Sequence, residues 1–236
     1  MSDWKLKRFW DKAGVEEIDD GFAVLLDGRS VRTPAKAVLK VPTRALADAI
    51  AAEWDAQDGE VDPTSMPVTR GANAAIDKIG ANRKAVVEML AEYGDSDLVC
   101  YRADGPKELV RRQSELWDPI VDWVGSKFGV RLAIAEGVMH VPQSPETLSA
   151  LSAEMEDMSD FALAGFHDLV AISGSLVLAL AVHHGQITPE SAWDLSRVDE
   201  SWQVEQWGED DEATAAESVK RDAFLDAARF LAMSLT

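Results

Sequence analysis

The stretch DESWQVEQWGEDDEA, residues 199–213, sets seven carboxylates and two indoles together with no basic residue among them. Such a group can hold a divalent cation, act as acid and base, or face a basic partner. Indole burial and carboxylate solvation ask for opposite surroundings, so the setting of Trp202 and Trp207 decides between these chemistries. The spacing is not that of an EF-hand loop. On a helix, Glu200 stands beside Val204 and Trp207, while Asp199 faces Trp202 and Gln203. Ala192 and Leu195 continue the stripe of Asp199, which places that carboxylate partly on the apolar side. Gly208 breaks the run. Residues 209–212 then lead into a further helix, whose positive N-terminal end favours carboxylates.

The other reactive side chains assemble no recognisable centre. His183 and His184 are adjacent, so on a helix they point to different sides and cannot chelate one metal as a four-residue spacing does. A helix C-terminus favours them electrostatically. Cys100, in DLVCYRAD, is the single cysteine and has no catalytic signature around it. It forms no intrachain disulfide and points to a reducing compartment. Ser175 lies in GSL, not in a G-x-S-x-G elbow. Neither G-x-G-x-x-G nor G-x-x-x-x-G-K-[ST] occurs. The residues therefore supply no catalytic group, no metal ligand set and no cofactor motif. Arg29, Arg32, Lys36 and Lys40 form a basic cluster. It reads as a strand edge guarded against aggregation, or as a contact surface for an acidic patch.

The elements that position these residues change character along the chain. FAVLLDGRSVRT sets Phe22, Val24 and Leu26 on one parity before Asp27-Gly28, a type I′ hairpin signal, and Asp20-Gly21 is a second such pair. With AVLKV at 37–41 this predicts three or four antiparallel strands. After Pro42 the period becomes helical. Thr43 caps a helix carrying Leu46, Ile50 and Trp54 on one stripe. Further helices are expected over 66–79 and from a cap at Asn82. Two more meet at Asp118-Pro119, with Asp118 as cap and a kink or restart at the proline. Ser144-Pro145 opens another. A single long helix is expected from Asp160 to the C′ residue Gly185, another from Thr188-Pro189 to Gly208, and a last one to the C-terminus. The fold class is α+β: a small N-terminal β region, 1–42, then a larger all-α helical domain, 43–236.

Composition bounds the function. The chain has 236 residues, 47% of them hydrophobic, which supplies a real core. Its formal charge is −19, but residues 1–45 carry 9 basic and 7 acidic residues. So acidic a chain is repelled by phosphate backbones, which excludes nucleic acid as a natural partner. The most apolar run, GSLVLALAV, is far shorter than the roughly 20 residues that span a bilayer, so no membrane insertion is expected. The opening MSDWKLKRFW lacks the apolar region of a secretory signal.

Taken together, these residues resemble the chaperones that assemble the ATP synthase catalytic head by handling its alpha subunit. Mitochondrial members of that family are called F(1)-ATPase assembly factor 2. The resemblance runs from FW at 9–10 and LDGRSVRTPAK at 26–36 through AIAAEWDAQ at 49–57, MPVTRGANAAID at 66–77 and DLVCYRADGP at 97–106. It continues in WDPIVDW at 117–123 and ends in SRVDESWQVEQWGEDDEA at 196–213. It implies a β region before a helical region, and an ATP-independent chaperone rather than an enzyme. Its partner would be the unassembled alpha subunit, whose adhesive interface it shields until the beta subunit joins. The acidic run after WG and the short N-terminus point to a bacterial member acting in the cytoplasm. The client-binding residues expected on this reading are Glu200, Gln203, Trp207, Gly208, Glu209 and Glu212. Two other functions stay open: a metal-assisted hydrolase using 209–212 with one of the histidines, and a general acidic adaptor.

Overall fold

The computed structural model describes residues 7–235. The first six residues, on which part of the N-terminal signal reading rests, lie outside the described residues. Contacts divide the chain into two compact units. The first comprises residues up to 83, 159–165 and 229 onward; the second comprises 84–158 and 166–228.

In the first unit β1 (Ala13–Ile18) pairs antiparallel with β2 (Gly21–Leu26), and β2 pairs with β3 (Arg29–Ser30) and β4 (Lys40–Val41). The Asp27-Gly28 hairpin is as expected, with φ of 48° and 78°. The other turn is shifted by one residue. Asp19 and Asp20 lie between the paired Ile18 and Gly21, so Gly21 opens the strand. A Cβ on Gly21 would stand 2.5 Å from the Val41 carbonyl oxygen, which is why glycine is needed there. Val24, Leu26, Val31, Leu39 and Val41 are buried. The helix α1 (Arg44–Asp55) packs on this sheet and buries Leu46, Ile50 and Trp54. Thr43 caps it by accepting from Leu46 N at 3.2 Å. Trp10 meets Trp54 edge to face at 5.1 Å. Glu53 accepts from Val68 N and Thr69 N, both at 2.7 Å, and so caps α2 (Pro67–Ala74) from outside. A π-helical turn over Ala75–Ile79 joins α2 to α3 (Gly80–Asp95). Asn82 does not cap a helix. It sits inside α3 with non-helical angles and donates to Lys78 O instead.

The second unit is helical around a two-stranded parallel pair, β5 (Tyr101–Arg102) with β6 (Ala135–Glu136). The helix α4 (Lys107–Phe128) continues through Pro119. Pro119 is exposed, so the carbonyl it strands can bond water, while Trp117, Ile120 and Val124 are buried on both sides of it. Asp118 is not a cap; it accepts from Arg102 Nη2 at 2.9 Å. Next come α5 (Pro145–Glu156), capped by Ser144 as expected, and α6 (Asp160–Ser173). The expected long helix is broken at Gly174, whose φ is 73°, and resumes as α7 (Leu176–His183). The next is broken too, at Arg197, into α8 (Pro189–Ser196) and α9 (Val198–Trp207). The last helix is α10 (Asp211–Ser234).

The Gly174 break creates a helix N-terminus inside the core, and a buried carboxylate satisfies it. Asp97 accepts from Ser175 Oγ at 2.6 Å, Val177 N at 2.9 Å and Val99 N at 3.2 Å. It is fully buried, and loss of hydration pushes its pKa up to about 6 although these bonds pull the other way. A raised folded pKa means that the folded state binds the proton more tightly than the unfolded chain. The resulting stabilisation is complete below the unfolded value of 3.8 and is lost as pH rises through about 6. The shift corresponds to about 3 kcal/mol. Urea unfolding of the wild type should therefore weaken between about pH 4 and about pH 6.5. Asp97→Asn should remove that part of the slope; an unchanged slope in the variant would assign it to other groups.

Candidate functional site

The stretch 199–213 divides between α9, a break at Gly208 and the first turn of α10. Gly208 has φ 92°, and its N–H donates to Val204 O at 2.8 Å to close α9. Asp210 then caps α10 by accepting from Ala213 N at 2.8 Å, and Asp211 and Glu212 occupy its first turn. The carboxylates after Gly208 thus lead into the next helix, as the sequence implied.

Side chains about 90 positions earlier fix α9 against α4. Arg112 donates to both oxygens of Glu205 at 2.7 Å, a bidentate pair. That bond holds the Glu205 carboxyl below the usual carboxylate range and the Arg112 guanidinium above its ordinary value. The same guanidinium lies 5.0 Å over the Trp202 ring. Beside it Gln113, fully buried, donates to Asp199 Oδ1 at 2.6 Å and accepts from Ala103 N at 2.8 Å. The Gln113 carbonyl accepts from Arg102 at 2.9 Å. Burial lowers the Arg102 pKa, and the adjacent Asp118 opposes that shift. Trp117 Nε1 donates to Leu195 O at 2.9 Å, supplying a partner where α8 ends. Arg197, at the break, lies 5.2 Å over Trp193 and pairs with Glu200 at 2.9 Å.

Two grooves flank α9. One, of about 390 Å³, lies between Pro106 and Leu109 on one side and Trp202, Gln206 and Trp207 on the other, with Asp199 in its wall. The second, of about 450 Å³, lies between α9 and the start of α10. Trp207 borders both and is 80% exposed. Of the six residues singled out from the sequence, Glu200, Gln203, Trp207 and Gly208 line the second groove. Glu209 and Glu212 are exposed but border neither groove. Trp202 is half-buried and Asp199 is partly buried. Pro106, Leu109, Arg112 and Gln113 were not singled out from the sequence. Nothing local marks them, because they meet α9 only through the fold.

The remaining reactive groups are held in structural settings. Cys100 is buried, and desolvation pushes its thiol up to about 12. His184 pairs with Glu154 at 2.8 Å. Burial lowers the His183 pKa, with His184 adding to the shift. Among the described residues no three His, Cys, Asp or Glu side chains converge so as to hold a metal ion.

Residues 7–125 match the ATP12 chaperone protein family. The chain is 26% identical over 215 residues to the mitochondrial protein atp12 of Schizosaccharomyces pombe, covering 86% of this chain and 74% of that protein. The crystal structure of Atp12 from Paracoccus denitrificans is similar at a TM-score of 0.94 and 46% identity, covering 98% of this chain and all of that one (100%). A mutant of the P. denitrificans protein aligns at a TM-score of 0.95 with 46% identity, over 99% of this chain and 100% of that one.

An indole 80% exposed does little for the fold. Trp207→Ala should change unfolding free energy by no more than about 0.5 kcal/mol, whereas Trp202→Ala, which strips the Arg112 stacking surface, should cost clearly more. Paired urea titrations check this. Equal losses in the two variants would show that Trp207 is structural after all.

Proposed function

Because the chain belongs to the ATP12 chaperone family, we propose that this ATP synthase assembly chaperone holds the unassembled alpha subunit of the catalytic head and covers its adhesive interface until the beta subunit joins. The observation that carries the site assignment is Trp207, 80% exposed on the ridge between two grooves and bordered by carboxylates. A subunit awaiting its partner exposes apolar surface that aggregates, and a chaperone must offer a replacement contact. Tryptophan gives the largest apolar contact of any side chain and recurs among the residues that dominate binding energy. The surrounding charge contributes differently. Exposed Glu200, Glu209 and Glu212 steer a basic client surface towards the site and set the rate of encounter more than the final affinity. Gln203 adds amide donors and acceptors at the rim, and Gly208 fixes the break that separates α9 from α10.

The work is binding, without ATP and without catalysis. The sequence carries no phosphate-cradling loop, the single thiol is buried, and the paired histidine His184 is committed to Glu154. A metal-assisted hydrolase at 209–212 finds no support in the arrangement of those carboxylates, of which Asp210 caps α10 while Asp211 and Glu212 lie in its first turn. No helix among the described residues is long and apolar enough to cross a membrane. We place the protein in the bacterial cytoplasm, a reading that its 46% identity to the Paracoccus denitrificans protein supports.

Co-purification from the native cell should return the alpha subunit, and the purified chaperone should keep isolated alpha subunit in solution. Glu200→Lys combined with Glu212→Lys should slow association about tenfold or more at low salt and flatten its salt dependence. Stopped-flow association over a salt series measures both. Failure to retain or solubilise the alpha subunit would remove the client. Unchanged association by a folded double variant would remove these carboxylates from the site.

A further inference from the structure

The groove between α4 and α9 holds a carboxylate, in the first turn of α9, that no cationic side chain pairs. Asp199 lies partly buried in the groove wall and receives one hydrogen bond, from the neutral amide of Gln113. The two arginines that flank α9 are committed elsewhere, Arg112 to Glu205 and Arg197 to Glu200. No ion pair reaches Asp199 among the described residues. A part-buried carboxylate with a single neutral amide donor keeps an oxygen free to accept from a cationic partner. The walls beside it are the indoles of Trp202 and Trp207.

Those indoles differ in one respect. Among the described residues four tryptophans carry a guanidinium against the ring: Trp10, Trp117, Trp193 and Trp202, at 5.0 to 5.5 Å. Trp207 carries none and is 80% exposed. We propose that this groove is a slot for one arginine side chain of the client, stacked on Trp207 and ion-paired with Asp199. The proposal rests on the client reading for the identity of the partner, but its chemistry is independent of it. A groove of about 390 Å³ takes one long side chain and part of the backbone that bears it. Arginine suits the slot better than lysine. Its planar cation can lie on an indole face, and its five N–H donors, against three on lysine, suit a wall that carries the free oxygen of Asp199 and the amide oxygen of Gln206. Pro106 and Leu109 supply apolar surface for the methylene stem. The slot lies on the side of α9 away from the acidic break, so it adds a specific anchor to a surface whose other charges act at long range.

The test uses the whole chain and three capped tripeptides, Gly-X-Gly, with arginine, lysine or citrulline at X. Titration is followed by the indole N–H and side-chain amide signals in ¹⁵N–¹H NMR spectra. The arginine peptide should shift Trp202, Trp207 and Gln206 signals saturably. Lysine should bind several-fold more weakly, and citrulline, isosteric but neutral, should leave the signals unmoved. Asp199→Asn keeps an oxygen for the Gln113 bond, and Trp207→Ala removes an exposed ring, so both should fold. Each should weaken arginine binding by about tenfold. Equal binding of citrulline, shifts that map away from the groove, or an unaffected Asp199→Asn variant would overturn the slot. Alpha-subunit capture with no arginine response at the groove would overturn the slot and leave the client standing. Arginine binding without alpha-subunit capture supports the slot and removes the client.

Discussion

A helix that is apolar on every side has to be wrapped on every side, and α7 imposes that constraint on the second unit. All six residues from Leu176 to Ala181 are buried. No amphipathic stripe remains to face water, so neighbouring helices must surround it. Contacts with α4 and α8 answer part of the demand, and buried Phe166, Leu169 and Leu151 supply further apolar side chains. The same burial leaves the first N–H groups of α7 with no water to bond. Ser175 and Asp97 take that place, at the cost of desolvating a carboxylate.

The candidate site inherits its rigidity from the same source. The helix α4 packs on α7 through its buried face and carries Arg112 and Gln113 at the margin of that face. Gln113 is buried and bonded through both ends of its amide, so it cannot swing. Arg112 is fixed by two bonds to Glu205 and by the Trp202 ring. Against this fixed row, α9 presents an exposed surface of amides, carboxylates and one free indole. A surface prepared in this way loses little conformational freedom when a partner docks, which is the condition for useful affinity from a small contact.

A chaperone of this kind faces two opposed demands. It must offer apolar area to a client that would otherwise aggregate, yet remain soluble when alone. On the proposed site, the arrangement around Trp207 answers both with one large ring set among carboxylates in a chain of charge −19. A single indole is too small to nucleate self-association, and the surrounding charge repels a second copy. The charge also favours a basic client over an acidic one before any contact forms.

Local signals in the sequence specified what near neighbours control. Asp27-Gly28 gave its hairpin, Thr43, Ser144 and Thr188 capped the helices they precede, and Gly185 ended α7. The α+β class followed from the change of period after Pro42. Breaks and continuities set by burial were not legible. Gly174-Ser175 held a stop and a cap, but the apolar run around them masked both. Arg197 interrupts a helix with no glycine or proline, because its guanidinium stacks on Trp193 and Trp117 takes a nearby carbonyl. Pro119 read as a kink or a restart, and the helix runs on through it between packed flanks. At the site, the sequence marked Trp207, Glu200, Gln203 and Gly208, which share one helix or its end. It could not mark Gln113 with Asp199, or Arg112 with Glu205, since these pairs meet across separations of 86 and 93 residues. Residue type and spacing therefore determined the local turns, the caps and the acidic, aromatic character of the site. Only the tertiary structure decided which charges are already answered, because burial and pairing depend on side chains brought together from distant parts of the chain.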